Sequence, residues 1–242
     1  MKCLLIIPFC VILCAASVLA SEMIDDASGG REGDGPSPDG LRPEPDSNVL
    51  TDAEKEYGFQ LLFNGKDLSD WKTAENRGAF KVENGILVVK GSRGHLFYTG
   101  PVNGAGFTNF HFKAEVLTKP GANSGVYFHT RYQEKGWPTK GYEAQVNNTH
   151  KDKRKTGSLY AVKDNGKAVA KDDQWFLYEI IVQGRRITIR IDAKEIVTFE
   201  EPADHNVKGW PQRRLSSGTF AIQAHDPKSE VHYRGIKVTP WP

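Results

Sequence analysis

Gly141-Tyr142-Glu143-Ala144-Gln145-Val146-Asn147 alternates between apolar and polar side chains over its whole length. Successive residues of an extended strand point to opposite faces, so Tyr142, Ala144 and Val146 share one side while Glu143, Gln145 and Asn147 share the other. Two more stretches repeat the pattern. In residues 125–131, Val126 and Phe128 oppose Tyr127, His129 and Arg131, and in residues 221–225, Ile222 and Ala224 oppose Gln223 and His225. Strands of this kind belong to an antiparallel sheet that turns one face to a core.

Working outward, residues 85–89, 110–117, 175–182, 186–191, 195–199, 218–224 and 231–238 are short runs rich in β-branched and aromatic residues, bounded by Gly, Asn, Asp or Pro. No segment sustains a long helical period, so the pattern predicts an all-β antiparallel sandwich or barrel rather than an α/β fold. One short helix is expected before the strands. Thr51-Asp52-Ala53-Glu54 has the spacing of a capping box, and Gly58 is placed to end the turn.

The 242 residues are 38% hydrophobic and 26% charged, with 24 Gly and 13 Pro, which excludes collagen, coiled coil and disorder along the whole chain. Residues 1–20 have a basic start at Lys2, an apolar stretch and Val18-Leu19-Ala20 before Ser21, the layout of a secretory signal. The apolar run falls short of the roughly 20 residues that span a bilayer, so no membrane span is expected. Cys14 follows Val11-Ile12-Leu13 as in a lipoprotein site, but Leu13 is bulky where processing before a cysteine wants a small residue. Export to the periplasm or the exterior is the expectation. Cys3, Cys10 and Cys14 all lie in this segment, so the domain beyond it has no disulfide, thiolate metal site or cysteine nucleophile.

Residues 21–49 read as an acidic, disordered linker, because Gly, Pro, Ser and acids offer too little apolar surface to offset the entropy of ordering. The linker holds eight acids against two bases, so the domain at 50–242 is basic although the formal net charge of the chain is only +2. Nucleic acid is not the expected partner. The densest basic run, residues 150–155, has no interleaved aromatics for base stacking and reads as a solvated loop. The stretch Lys155-Thr156-Gly157-Ser158 lacks the spacing of a phosphate loop, and no glycine-rich βαβ unit for a dinucleotide is present.

A polar alternate face is often plain wet surface. The residue types in these rows point further: Glu143, Gln145, Tyr127, His129, Arg131, Gln223 and His225 bind hydroxyls or move protons, and Lys and Ser are missing from the rows. A curved sheet would gather them in its concavity. Each also has a structural explanation: Glu143 as a surface carboxylate paired with Arg131 or Lys155, His225 as a hydrogen-bonded sheet residue, Asn123-Ser124-Gly125 as a turn, Tyr142 and Trp71 as packing groups.

The stretches LLFNGKDLSDW at 61–71, FKVENGIL at 80–87, GANSGVYF at 121–128, GYEAQ at 141–145, TGSLY at 156–160 and the closing 218–238 resemble, in order, the 3-keto-disaccharide hydrolase family. The resemblance runs from about residue 58 to 240 and implies a jelly-roll sandwich of the concanavalin-A-like type. It also implies sugars whose C3 hydroxyl has been oxidised to a ketone, with a separate sugar oxidoreductase supplying them. Such a ketone acidifies the C2 proton, so cleavage needs a base, an enolate stabiliser and a donor to the departing oxygen. On this basis Glu143, or a nearby histidine, is expected as the base. Arg131 and Gln145 are expected to hold the enolate, and His225 or His129 to assist departure. Tyr127, Gln223, Asn123 and Lys155 complete the expected substrate contacts. His129, Glu143 and His225 also form a candidate set for a divalent ion, without the local spacing of a zinc motif. The alternative is a carbohydrate-binding module using Tyr127, Tyr142, Trp137 and Trp210, and fold analogy does not separate the two. A third reading is a structural interaction domain at the cell envelope.

Overall fold

The computed structural model describes residues 47–242, so the expected signal segment and most of the expected linker lie outside the described residues. Asn48, at the linker's end, is tied into the fold: its amide donates to Gly85 O and its Oδ1 accepts from Gly235 N, at 2.8 and 2.9 Å.

The short helix α1, Asp52–Tyr57, forms as its caps dictate: Thr51 and Glu54 exchange the reciprocal bonds of a capping box, and Gly58 closes the turn at φ +91°. Thirteen strands follow, numbered in chain order. One sheet has eight strands, in the order β11 (Lys194–Glu200), β10 (Arg186–Ile191), β9 (Phe176–Gln183), β6 (Asn109–Thr118), β13 (Glu230–Trp241), β4 (Ile86–Lys90), β3 (Phe80–Glu83), with β1 (Gln60–Leu61) also paired to β13. The other has five, in the order β2 (Trp71–Glu75), β5 (Gly94–Tyr98), β12 (Thr219–Ala224), β7 (Ser124–Thr130), β8 (Tyr142–Val146). All pairings are antiparallel, and the two sheets form an all-β jelly-roll sandwich. No helix among the described residues is long and apolar enough to cross a membrane.

The core lies between the sheets. Phe110 and Phe112 of β6 meet Phe128 of β7 and Phe220 of β12, with ring centroids as close as 4.9 Å. Each buried ring contributes about 1.5–3 kcal/mol. Tyr142, Ala144 and Val146 all enter this core, as the alternation of β8 predicts. Two tyrosines of the large sheet reach across it. Tyr178 of β9 donates to Gln145 O at 3.0 Å, and Tyr233 of β13 donates to Ser124 Oγ at 2.8 Å, which in turn donates to Gln223 O at 2.6 Å. Both bonds fasten the backbone of the small sheet beneath its outer, polar face.

Candidate active site

That outer face floors a hollow of about 590 Å³. The register pairs Ile222 of β12 with Val126 of β7 and Gly125 of β7 with Gln145 of β8, with Tyr127 and Glu143 paired two residues along. Glu143 is the central group and is 5% exposed. Its Oε2 accepts from the Tyr127 hydroxyl and its Oε1 from Gln223 Nε2, both at 2.9 Å. Burial pushes its carboxyl above the usual range, opposed by these bonds and by the charge of Arg213. Gly125 makes room for it: a Cβ at that position would lie 2.6 Å from Glu143 Oε1.

Asn123, Tyr127, Glu143, Gln145, Gln223 and His225 all line this one hollow, so strand parity brings together six of the expected site residues. Asn123 has a second task. Its Oδ1 accepts from Gln145 Nε2 at 2.7 Å and its Nδ2 donates to His150 Nδ1 at 3.2 Å. The carbonyl oxygens of the Gln145 and Gln223 side chains are buried with no protein partner among the described residues.

His129, Arg131 and Lys155 are placed elsewhere. His129 takes φ +55°, a left-handed conformation, where the pairing of β7 with β12 shifts register. The alternation breaks there, and the ring turns into the interior against Phe110 and Phe128. Its Nε2 donates to Thr108 O at 2.9 Å, its Nδ1 accepts from Ser216 N at 3.1 Å, and burial lowers its pKa to about 4. Arg131 lies past this bulge, exposed and outside the lining. Lys155 donates to His150 O at 2.6 Å, also outside the lining. Tyr142, offered as a sugar platform in the binding-module alternative, is fully buried and bonded to Glu201.

Arg213 is the principal residue that sequence reasoning missed. It is only 7% exposed, lies 3.6 Å over the Trp210 ring, donates to Tyr160 O at 2.8 Å and forms no ion pair with a carboxylate among the described residues. A buried guanidinium held by stacking and one carbonyl keeps donors free for an oxyanion. Trp137 and Trp210 stand at the rim, 42% and 41% exposed. Gln133 holds the Trp137 loop in shape, donating to Lys135 O and Trp137 O and accepting from Thr139 N.

Across the sheet these groups fall in a definite order. His225 follows β12, Glu143 is on β8 two strands away, and Tyr160, which carries Arg213, bonds to Glu143 O along the outer edge of β8. Glu143 therefore lies between a guanidinium and an imidazole, and feels both. His225 Nδ1 donates to Asp226 Oδ2 at 2.9 Å, which leaves its Nε2 as the basic nitrogen. Burial works against ionisation of Asp226, but the bonds from Ser229, His225 and Lys228 N outweigh it and hold the pKa down to about 2.

The set expected for a divalent ion is not assembled, because His129 faces the core. Among the described residues, His150, His225 and Asp226 bring potential ligand atoms within 4.8 Å of one another. Their hydrogen bonds do not suit an ion. His150 Nδ1 accepts from Asn123 Nδ2 and from Asp152 N, so its proton is on Nε2, and both Asp226 oxygens are already engaged.

Known structures share this sandwich. A candidate glycosyl hydrolase from Parabacteroides distasonis superposes with a TM-score of 0.69 at 23% identity, covering 81% of this chain and 99% of its own. A second from the same organism gives 0.60 at 19%, with coverage of 76% and 99%. The carbohydrate-binding module CBM66 from Bacillus subtilis gives 0.50 at 12%, covering 70% and 95%. At these identities the likeness shows the fold alone. No curated protein matches the sequence. A family model does, over residues 58–239, which span the sandwich and every residue lining the hollow. The chain belongs to the family of 3-keto-alpha-glucoside-1,2-lyase-like domains.

Proposed function

We propose that the protein is an exported carbohydrate-active enzyme that cleaves 3-keto-glycosides by elimination across C1 and C2, acting after an oxidoreductase that makes the ketone. The supporting observation is the order Arg213, Glu143, His225 along the hollow. In a 3-keto sugar the acidic C2 carbon lies between the C3 ketone and the C1 leaving group, so the chemistry wants the same order: oxyanion holder, base, proton donor.

Glu143 removes the C2 proton, and the C–H electron pair forms C2=C3 with the negative charge on O3. Arg213, in the role expected of Arg131, holds that oxyanion in a partly dehydrated site where a charged hydrogen bond is strong. The enolate then collapses: C3=O re-forms, C1=C2 forms, and the C1–O bond breaks as protonated His225 gives its proton to the departing oxygen. The products are an unsaturated 3-keto sugar and a free sugar; water added across the new double bond gives net hydrolysis. Gln145 and Gln223 line the floor beneath the sugar, and Trp137 and Trp210 offer faces for its C–H groups. A high pKa suits Glu143 as a base for a carbon acid.

The two exposed rim tryptophans favour one second reading, a binding module without chemistry. One experiment decides. The full chain is incubated with a 3-keto-disaccharide and with its unoxidised parent, in D2O, and followed by NMR. Consumption of the keto sugar alone, with exchange at C2, is expected. Saturable binding without turnover establishes the module, and equal cleavage of the parent removes the ketone mechanism.

A further inference from the structure

A second hollow of about 500 Å³ adjoins the first and shares His225 with it; Gly121, Thr149, His150, Lys151, Asp226 and Lys228 complete its wall. Its polar inventory is one-sided. Asp226 spends Oδ1 on Lys228 N at 2.9 Å and Oδ2 on His225 and Ser229 Oγ at 2.9 and 2.6 Å. The Thr149 hydroxyl accepts from Gly121 N at 2.8 Å and donates to Asp172. The Asp226 and Thr149 oxygens thus already hold hydrogen bonds, and the remaining acceptor, His225 Nε2, becomes a donor when the ring is protonated, whereas three donors are unengaged. Lys151 and Lys228 carry ammonium groups with no carboxylate partner among the described residues. His150, with Nδ1 accepting from two N–H groups, presents Nε2–H. At Gly121 the wall is open, with nothing within 4 Å of where a Cβ would stand.

We propose that this hollow is the seat of the departing sugar and selects one bearing an oxyanion, a carboxylate, sulfate or phosphate group. Three free donors, two of them ammonium groups set against the single carboxylate of Asp226, match a guest that only accepts hydrogen bonds. The position beyond His225 is where the leaving unit falls if the keto ring lies over Glu143, and that assignment rests on the reaction proposed above. Anion binding itself does not.

Binding is therefore measured first, by isothermal titration of the full chain with glucuronate, glucose 6-sulfate, glucose 6-phosphate and glucose. At least one anionic sugar is expected to bind about 10-fold or more tightly than glucose at low salt, weakening as salt is added. The double variant Lys151→Glu/Lys228→Glu is expected to abolish that preference with its melting temperature unchanged. The three anions tell which oxyanion fits. Equal binding of glucose and all three, or a preference that survives the double variant, overturns the proposal. Turnover of 3-keto-glycosides with neutral and anionic aglycones is measured in parallel. Anion binding without cleavage of either substrate leaves the seat standing and removes the reaction, and cleavage without an anionic preference does the reverse.

Discussion

Replacing Gly125 by alanine isolates the placement of Glu143 from everything else in the site. The new Cβ would lie 2.6 Å from Glu143 Oε1, 3.0 Å from its Cγ and 3.2 Å from its Cδ. Ordinary contact begins at about 3.5 Å, so the carboxylate must retreat by about 1 Å. It then loses the 2.9 Å bond from Gln223 or strains it. A displacement of that size in a reacting group costs about 100-fold in rate, or about 2.7 kcal/mol of transition-state stabilisation. The fold should tolerate the change, since Gly125 does not have a positive φ, lies near the start of β7, and a strand gains from a side chain there. The assay pairs turnover of a 3-keto-disaccharide with a thermal melt. A fall in kcat of about 100-fold with a melting temperature within a few degrees of the parent is expected. Unchanged turnover would refute the placement of the base, and a collapse in stability would show that the glycine serves the sheet instead.

Glu143→Gln should cut turnover by about 10³-fold, as loss of a general base does. It should also stabilise the fold in a pH-dependent way: burial raises the Glu143 pKa, so the carboxyl's favourable contribution is complete below its unfolded pKa and is lost as pH rises through the folded one. The melting-temperature gain of the variant should grow from pH 4 to 8, and a gain independent of pH contradicts the account. Arg213→Met should lower kcat about 100-fold and move the acidic limb of the pH–rate profile upward, because the guanidinium now lowers the Glu143 pKa; Arg213→Lys should restore the limb. Thr51→Ala removes a helix cap and should cost about 0.5–1 kcal/mol in a denaturant titration while leaving turnover unchanged.

Much of this architecture was legible in the sequence because alternation in a half-buried strand is a geometric rule. It placed Glu143, Gln145, Tyr127 and Gln223 on one face, as found. The rule fails where its premise fails. His129 sits at a bulge in a left-handed conformation that no residue type announces, and Arg131 follows it out of register. Strand β5 escaped notice because GHLFY is buried on both faces and so has no alternation. Arg213 comes from an irregular stretch whose position depends on stacking with Trp210 and a bond to Tyr160 O. Its one local sign is an arginine pair close behind an exposed Trp-Pro.

The two tyrosine hydroxyls that bolt the large sheet to Gln145 O and Ser124 bear on how the protein loses activity and how it can change. One anchor is in β8 beside Glu143, and the other passes through Ser124 to Gln223 O of β12, the strand that leads to His225, so the floor under Glu143 opens only by separating the sheets themselves. Heat inactivation should therefore track global melting, with no dead but folded state between. Divergence toward other sugars would be confined to the rim around Trp137 and Trp210, where residues can be exchanged with both bolts intact.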